Sequence, residues 1–203
     1  MRNRYVGHSW SHADPLAQGP AVLYLEEASD EFGSAGCERI CCKAGRHAVL
    51  YVYESPHPTE DPGKIIMQVH KSFGTASLCC WRPGVQIFTG DGEKIGHVED
   101  PWRCCLMDQR IYDAAGLQIY GAAGSICQPA VFCPCLGNVE FEVTGPGGEP
   151  TSAHISKLFG GCAEVMAKVN KFRVVFPAGA TPTQKMVLLG TTLLIDFEYF
   201  ERK

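Results

Sequence analysis

Cysteine is the residue type with the greatest chemical capacity in this 203-residue chain, which contains eleven cysteines. Several are adjacent or nearly so: Cys41-Cys42, Cys79-Cys80, Cys104-Cys105 and Cys133-Pro134-Cys135. The first residues contain no nonpolar run typical of a secretory signal, so we expect the thiols to remain reduced. An odd number of cysteines also argues against a closed disulfide framework.

Reduced cysteines in this pattern have three possible uses. The first use is a structural zinc site, which usually has two Cys-x₂₋₄-Cys pairs. The two candidate groups, Cys37 with Cys41-Cys42 and Cys133 with Cys135, do not match that spacing well. Thioacylation is the second use, and Cys79 and Cys80 suit it because Trp81-Arg82 beside them fits a membrane-facing loop. The third use is as small buried packing residues.

No residue set typical of an enzyme is present. The chain has no Gly-x-Ser-x-Gly, no phosphate-binding loop and no His-Glu-x-x-His, and lone histidines such as His70 and His97 are more typical of solvated strand ends. The net charge of −4 gives no general attraction to nucleic acid. We therefore predict neither an enzyme nor a nucleic-acid-binding protein.

The elements that must position these cysteines form an internal repeat of strand, Gly/Pro/Asp-containing turn, strand and cysteine-containing link. After a strand at residues 4–9, a loop and a strand at 21–27, the predicted hairpins pair residues 48–53 with 64–69, 85–89 with 94–98, 109–113 with 117–120, and 138–143 with 152–157. A short amphipathic helix at 160–170 and a last strand at 171–177 follow. Repeated antiparallel hairpins avoid free edges by closing into a barrel, which predicts one domain spanning residues 1–203.

A run without charge from residue 186 to residue 195 predicts a helix that is buried on all sides. It is shorter than the roughly 20 residues of a bilayer span. A barrel of this size needs a nonpolar filling, which places this helix in the bore. A single-pass anchor and an ordinary buried element are the alternatives. The predicted core residues are Met186, Leu189, Leu193, Leu194, Ile195 and Phe197, with Asp196 and Glu198 expected to end the buried run.

Two segments carry a resemblance to a known family. Residues 127–143, with Cys133-Pro134-Cys135 before an alternating strand, resemble the cysteine-rich segment and following strand of the phospholipid scramblase family. His154-Ile155-Ser156-Lys157, Phe176-Pro177 and residues 193–201 are similar to later segments of the same family. The likeness is strong after about residue 124 and weaker before it.

The resemblance implies a tubby-like fold, a closed antiparallel barrel of about twelve strands around a hydrophobic C-terminal helix. It also implies calcium-driven, ATP-independent movement of phospholipids between leaflets, and palmitoylation at a cysteine run that here corresponds to Cys79 and Cys80. A cytoplasmic membrane face, with the plasma membrane first and a nuclear pool second, is the implied location. The family's proline-rich tail, which binds protein partners, is expected to be absent.

Calcium is the cofactor that the resemblance implies, and the family's calcium segment falls on residues 168–181. Lys168 and Asn170 stand where aspartates are expected, and the segment contains no carboxylate. Asn170 and Thr181 are its remaining candidate ligands. Because calcium prefers six to eight oxygens, several from carboxylates, we expect weak binding here and lipid movement largely independent of calcium. No organic cofactor is predicted.

Two functions follow from the sequence. The first is a phospholipid scramblase acting on membranes. The second is a membrane-associated module that binds lipids or protein partners without moving lipid. A liposome assay with fluorescent lipid would separate them.

Overall fold

A single antiparallel sheet dominates the computed structural model, which describes residues 4–11, 14–28, 45–54, 63–74, 82–159 and 170–200. Its eleven strands are hydrogen-bonded in chain order. They are β1 (Arg4–Ser11), β2 (Asp14–Glu27), β3 (Ala48–Tyr53), β4 (Ile65–Lys71), β5 (Gly84–Thr89), β6 (Lys94–Glu99), β7 (Leu106–Asp113), β8 (Gln118–Ser125), β9 (Val139–Thr144), β10 (Pro150–Leu158) and β11 (Lys171–Val175). The prediction of a mainly β chain built from successive hairpins is confirmed.

The first hairpin is longer than predicted. The loop expected after residue 9 is strand, because β1 and β2 pair as far as Ser11 and Asp14. Register shifts interrupt the pairing between Gly7 and Ser11. Such irregularities let a strand continue through a sequence without regular alternation, which explains why the turn-rich composition was misleading.

The predicted closure into a barrel is not confirmed. Strands β1 and β11 are the two ends of the sheet, and within the described ranges no ladder of hydrogen bonds joins them. A side chain spans this gap instead. The Tyr5 hydroxyl on β1 donates to Asp196 Oδ2 at 2.8 Å, and Asn170 Nδ2, next to β11, donates to Asp196 Oδ1 at 2.7 Å.

The long C-terminal helix begins at a well-formed cap. Helix α1 (Pro129–Phe132) is a single turn in the β8–β9 link, and α2 (Pro182–Ile195) is the long C-terminal helix. Thr181 and Gln184 form a reciprocal capping box, and Pro182 occupies the first turn, where its missing N–H costs nothing. At its other end α2 continues into a wider π-helical turn, Asp196–Phe200.

Most of α2 is buried against strands β4 to β7 and β11. Leu193, Leu194, Ile195 and Phe197 are at most 6% exposed, whereas Met186 and Leu189 are partly buried and pack on the core. Thr191 and Thr192 are also buried, and their hydroxyls donate to the carbonyls of Val187 and Leu188 one turn earlier. Among the helices of the described residues, none has the length and nonpolar character needed to cross a bilayer.

Candidate functional site

The antiparallel order gives the sheet two unlike edges. At one edge, which we call the turn edge, five connections begin and end: β1–β2, β3–β4, β5–β6, β7–β8 and β9–β10. The other five connections (β2–β3, β4–β5, β6–β7, β8–β9 and β10–β11) begin and end along the opposite edge. We call this the cysteine edge, because every cysteine of the sequence falls within one of its five connections.

The thiols that the structure describes lie mostly at the surface. Cys104, Cys105, Cys127 and Cys135 are exposed, and Cys133 is half-buried; all five are free thiols. The interpretation as buried packing residues is therefore wrong for these positions. A zinc site also gains no support, since no group of three or more metal-binding side chains forms within the described ranges. Cys79 and Cys80, the predicted lipidation sites, lie outside the described residues, as do Cys37, Cys41 and Cys42.

Large nonpolar side chains are also exposed at the cysteine edge. Six of the nine exposed large nonpolar residues in the described part of the chain lie there, at its connections or at the first residue of β7. The most exposed are Phe132 at 77%, Leu136 at 65% and Trp102 at 62%. The six are Phe73, Trp102, Leu106, Ile126, Phe132 and Leu136. These exposed side chains are the feature on which the membrane contact proposed below is based.

Hydrogen bonds hold the two best-described connections of this edge in place. The backbone N–H of Ile126 donates to the carbonyl of Cys105 at 3.1 Å, which joins the β8–β9 and β6–β7 links. The Gln128 side chain both accepts from the Glu140 N–H, at 2.8 Å, and donates to the Glu140 carbonyl, at 2.9 Å. These contacts fix the start of α1 against β9, so that Phe132 projects from an anchored loop.

Charge differs between the two edges. The residues from 126 to 138, the complete β8–β9 link, include no Asp, Glu, Lys or Arg. Across the described connections of the cysteine edge, the charged residues are three arginines and one aspartate: Arg46, Arg82, Arg103 and Asp100. The described turn-edge connections instead carry four carboxylates and one lysine: Glu54, Asp91, Glu93, Glu149 and Lys64.

Beneath the cysteine edge lies the end of the helix, where each residue of Asp196–Phe200 has a specific partner. Asp196 bridges β1 and the start of β11, as described above. Phe197 lies under the guanidinium of Arg46, 5.4 Å from its ring centroid. Phe200 contacts Phe141 and Phe172 edge-on, with ring centroids 6.3 and 5.9 Å apart. The sequence prediction that Asp196 ends the buried run was wrong, because Asp196 is only 5% exposed.

A fully buried ion pair joins Glu198 to β4. Lys71 Nζ lies 3.0 Å from Glu198 Oε1, and both side chains are completely inaccessible to solvent. The same ammonium donates to the carbonyls of Arg46, Ser72 and Gly74 at 3.2–3.3 Å. Four oxygens thus surround one buried cation, which satisfies its three N–H donors.

Tyr199 completes the cluster through Asp100 at the end of β6. Its hydroxyl donates to Asp100 Oδ2 at 2.6 Å, and the Arg82 guanidinium binds Oδ1 of the same carboxylate. Burial raises the pKa of Asp100, and Tyr199 and Arg82 oppose that increase. Burial and the neighbouring Asp100 charge raise the pKa of Tyr199, so its hydroxyl remains a donor. The cluster fastens the helix end to strands β1, β4, β9 and β11 and to Asp100, directly after β6.

The candidate calcium ligands serve other purposes. Asn170 turns its amide nitrogen, which cannot bind a cation, toward Asp196 Oδ1 and the carbonyl of Phe200. The Thr181 hydroxyl accepts the N–H of Gln184 in the helix cap. Lys171 and Arg173 follow directly on β11. This donor set does not fit calcium, which needs several carboxylate oxygens directed at one point.

Sequence reasoning missed the buried partners of the helix end and the Thr181–Gln184 cap. The cap has a readable signal, Ser/Thr-x-x-Gln before a nonpolar run, at residues 181–184. The partners of Glu198 and Tyr199 have no local signal, because Lys71 and Asp100 lie far away in the sequence.

One antiparallel sheet, one long buried C-terminal helix and an edge with exposed thiols and nonpolar side chains define a mainly β class of protein. The family model described as Scramblase matches residues 3–202. The chain belongs to the scramblase family. No solved structure matches the chain.

The similar proteins include several named phospholipid scramblases. Phospholipid scramblase 1 of Mus musculus is 27% identical over 187 residues, covering 91% of this chain and 52% of the relative. Phospholipid scramblase 2 of Homo sapiens is 25% identical over 169 residues, covering 82% and 54% respectively. Phospholipid scramblase family member 5 of Homo sapiens is 29% identical over 148 residues, covering 70% and 52%. This chain thus spans about half the length of these relatives.

Proposed function

We propose that this chain acts on phospholipid membranes and moves phospholipids between leaflets in both directions without ATP. The observation that carries the proposal is the family membership over residues 3–202, together with relatives named phospholipid scramblase. The proposed location is the cytoplasmic face of membranes, mainly of the plasma membrane. A nuclear pool is the second proposed location. We also propose that the chain binds protein partners. The same proposal includes closure of the sheet around α2 to form a single barrel domain.

The cysteine edge is the proposed membrane-contact surface. Trp102, Phe132 and Leu136 are largely exposed there, and tryptophan is favoured at membrane–water interfaces. The charge-free β8–β9 link can enter the interface without desolvating an ion. The turn edge, with its carboxylates, then faces water.

Thioacylation of Cys79 and Cys80 is the proposed second attachment. Their connection runs from Lys71 to Gly84, two residues at the cysteine edge. One acyl chain alone gives marginal membrane binding, so two chains, or one chain with a nonpolar surface, are needed. An acyl-exchange mass shift that disappears in Cys79→Ser/Cys80→Ser would support this assignment, and a shift that survives would move the lipid to other cysteines.

We further propose that lipid movement by this chain is largely independent of calcium. The support is the poor donor set of residues 170–181, where Asn170 and Thr181 are used by internal hydrogen bonds. Titration calorimetry on the whole chain should give millimolar or weaker calcium binding. Micromolar binding that is lost in Asn170→Ala would contradict this.

The direct test is a liposome assay with fluorescent phospholipid in both leaflets and an impermeant quencher added outside. Movement of lipid is expected to raise the quenched fraction above one half, with and without calcium. Protein-free vesicles and vesicles with heat-denatured protein are the controls. A quenched fraction that stays at one half in both conditions would exclude translocation by this chain.

A second candidate function, a membrane-bound module that recognises lipids or proteins, is favoured by one observation. Helix α2 is buried against the sheet, with Leu188, Leu194 and Ile195 at most 1% exposed. A helix in this position contributes nothing to a lipid pathway unless it moves. Vesicle binding without lipid movement in the same assay would support this function over translocation.

A further inference from the structure

Two adjacent thiols in the β6–β7 link lie unusually close together. Cys104 Sγ and Cys105 Sγ are 3.3 Å apart, and both residues are exposed. Neighbouring side chains in extended backbone point to opposite faces, so adjacent cysteines do not normally meet. Here a turn brings them onto the same side.

The turn depends on an uncommon backbone conformation. Cys105 has φ 64°, and it is the one residue other than glycine with positive φ in the described part of the chain. A left-handed conformation is strained at a residue with a Cβ, and such residues concentrate at functional sites. The Ile126 N–H, which donates to the Cys105 carbonyl at 3.1 Å, holds this conformation from the neighbouring link.

From this geometry we propose that Cys104 and Cys105 are a redox-active dithiol that a peroxide converts to an intramolecular disulfide. The proposal does not depend on lipid movement or on membrane binding. It assigns the β6–β7 link as a modification site whose substrate class is hydroperoxides.

The chemistry balances in two steps. The Cys104 thiolate attacks one peroxide oxygen, the O–O bond breaks, and the products are a Cys104 sulfenic acid and hydroxide, which takes up a proton to form water. The Cys105 thiolate then attacks the Cys104 sulfur and displaces hydroxide, which leaves as a second water. Two thiols are oxidised and one peroxide is reduced, with no other reactant.

The neighbouring sulfur affects the order of these steps. The pKa of Cys105 is raised by its hydrogen bond to Cys104 and by the adjacent negative charge. In the proposed order Cys104 attacks first, and Cys105 keeps its proton until that step is complete. Because the two Cα atoms are only about 3.8 Å apart, below the usual range for disulfides, the product should be easily reduced again.

Peptide mapping tests the proposal cleanly. Trypsin cuts after Arg103 and Arg110, so both cysteines fall in one peptide, residues 104–110, while Cys127 falls in another. The purified chain is treated with hydrogen peroxide, free thiols are alkylated, and the digest is analysed by mass spectrometry. We expect this peptide to lose two hydrogens, to resist alkylation, and to regain both alkylation sites after dithiothreitol.

Matched variants separate this pair from other thiols. Cys127→Ser should leave the intramolecular product unchanged. Cys105→Ser should stop it and leave a Cys104 sulfenic acid that dimedone traps. The same chain unfolded in urea should form the product more slowly, because the turn is lost. A peptide joined to the one containing Cys127, or equal rates in the folded and unfolded chain, would overturn the proposal.

Discussion

At the residue scale, the buried charges beneath the cysteine edge are the most informative feature. Removing a charge from water costs several kcal/mol unless close partners compensate. Lys71 has Glu198 and three carbonyls, and Asp196 accepts hydrogen bonds on both carboxylate oxygens. Acidic residues can therefore alternate with aromatic ones in Asp196–Phe200, because each has a partner supplied by a distant strand.

The Lys71–Glu198 pair gives the first prediction. Lys71→Met leaves Glu198 buried without its cation and should lower the free energy of unfolding by about 3–5 kcal/mol. Lys71→Met/Glu198→Met should cost less than the two single changes added, with a coupling of about 2–3 kcal/mol. Urea unfolding followed by circular dichroism measures all four proteins.

The exposed pair of Arg4 and Glu26 is the matched control. Arg4 is 63% exposed and lies 2.8 Å from Glu26, so Arg4→Met should cost less than about 1 kcal/mol. Equal losses in Lys71→Met and Arg4→Met would show that burial of the first pair has no energetic consequence.

His97 gives a pH-dependent prediction. Burial and the nearby Lys94 lower the pKa of His97 in the folded protein, and its ring stacks on Tyr112 with centroids 4.6 Å apart. The unfolded chain therefore takes up the proton first as the pH falls below about 6.5. The contribution of neutral His97 to the free energy of unfolding is fully present above that pH. It is lost as the pH falls through the pKa of His97 in the folded protein.

His97→Phe keeps the stacking on Tyr112 but cannot titrate. Its melting temperature should decrease less between pH 7.5 and pH 5.5 than that of the unmodified chain, as measured by differential scanning fluorimetry. An identical decrease in the two proteins would remove His97 from the pH dependence of stability.

Single residues were the hardest part of this protein to predict from the sequence. Nonpolar character identified the core positions of α2, including Leu194 and Ile195. Exposure of Cys104 and burial of Asp196 depend on which distant strands surround them, and composition carries no such information. The family resemblance implies Asn170 as a candidate calcium ligand, whereas its amide nitrogen is directed at Asp196.

At the scale of elements, the approach of α2 to the sheet depends on small residues. A Cβ on Gly190 would lie 2.7 Å from Ile87 Cγ1, and one on Gly96 would lie 2.9 Å from Val187 Cγ2. Both distances are too short for real Cβ contacts. The helix and strands β5 and β6 therefore pack more closely than any larger residue would allow.

Gly190→Ala sets two effects against each other. Helix propensity alone would favour alanine by about 1 kcal/mol. Overpacking against the fully buried Ile87 should dominate, because a side chain there has no space to move, with a net loss of about 1–3 kcal/mol. Chemical unfolding of the purified variant is the measurement.

Two further variants serve as controls for this helix. Lys185→Ala, on the exposed side of α2, should change stability by no more than about 0.5 kcal/mol. In an Ile87→Ala background Gly190→Ala should cost less, since the clashing atoms are gone. A gain in stability from Gly190→Ala in the unmodified background would show that the helix–sheet distance can relax.

Elements were more predictable than residues, because local signals specify them. Asp91-Gly92 between alternating runs predicts the β5–β6 hairpin, which the structure contains. The first hairpin was underestimated because its register shifts hide the alternation. Closure of the sheet was not predictable at all, since it depends on whether β1 meets β11.

At the scale of the whole molecule, the up-and-down order of strands separates two kinds of connection. In the described connections, the turn edge carries four carboxylates, and the cysteine edge carries one carboxylate, thiols and exposed nonpolar side chains. One strand inserted or lost would move every later connection to the other edge. That all eleven cysteines fall in connections that begin and end at one edge is therefore a property of the complete topology.

This asymmetry predicts which side of the molecule meets a bilayer. Phe132 and Leu136, exposed at the cysteine edge, should each enter the interface, and burying such a side chain contributes about 1.5–3 kcal/mol. Phe132→Asp and Leu136→Asp should therefore each weaken binding to phosphatidylcholine vesicles by about tenfold or more. Cosedimentation measures the bound fraction, and circular dichroism confirms that each variant remains folded.

Leu117→Asp is the matched control. Leu117 is 67% exposed, about as much as Leu136, but it lies in the β7–β8 turn at the opposite edge. Its replacement should leave vesicle binding within about twofold of the unmodified chain. Binding should also persist in 0.5 M salt, because the β8–β9 link has no charge to be screened. If Leu117→Asp and Phe132→Asp weaken vesicle binding equally, the contact is not specific to the cysteine edge. If binding is lost in 0.5 M salt, electrostatic attraction rather than nonpolar insertion holds the chain on the vesicle.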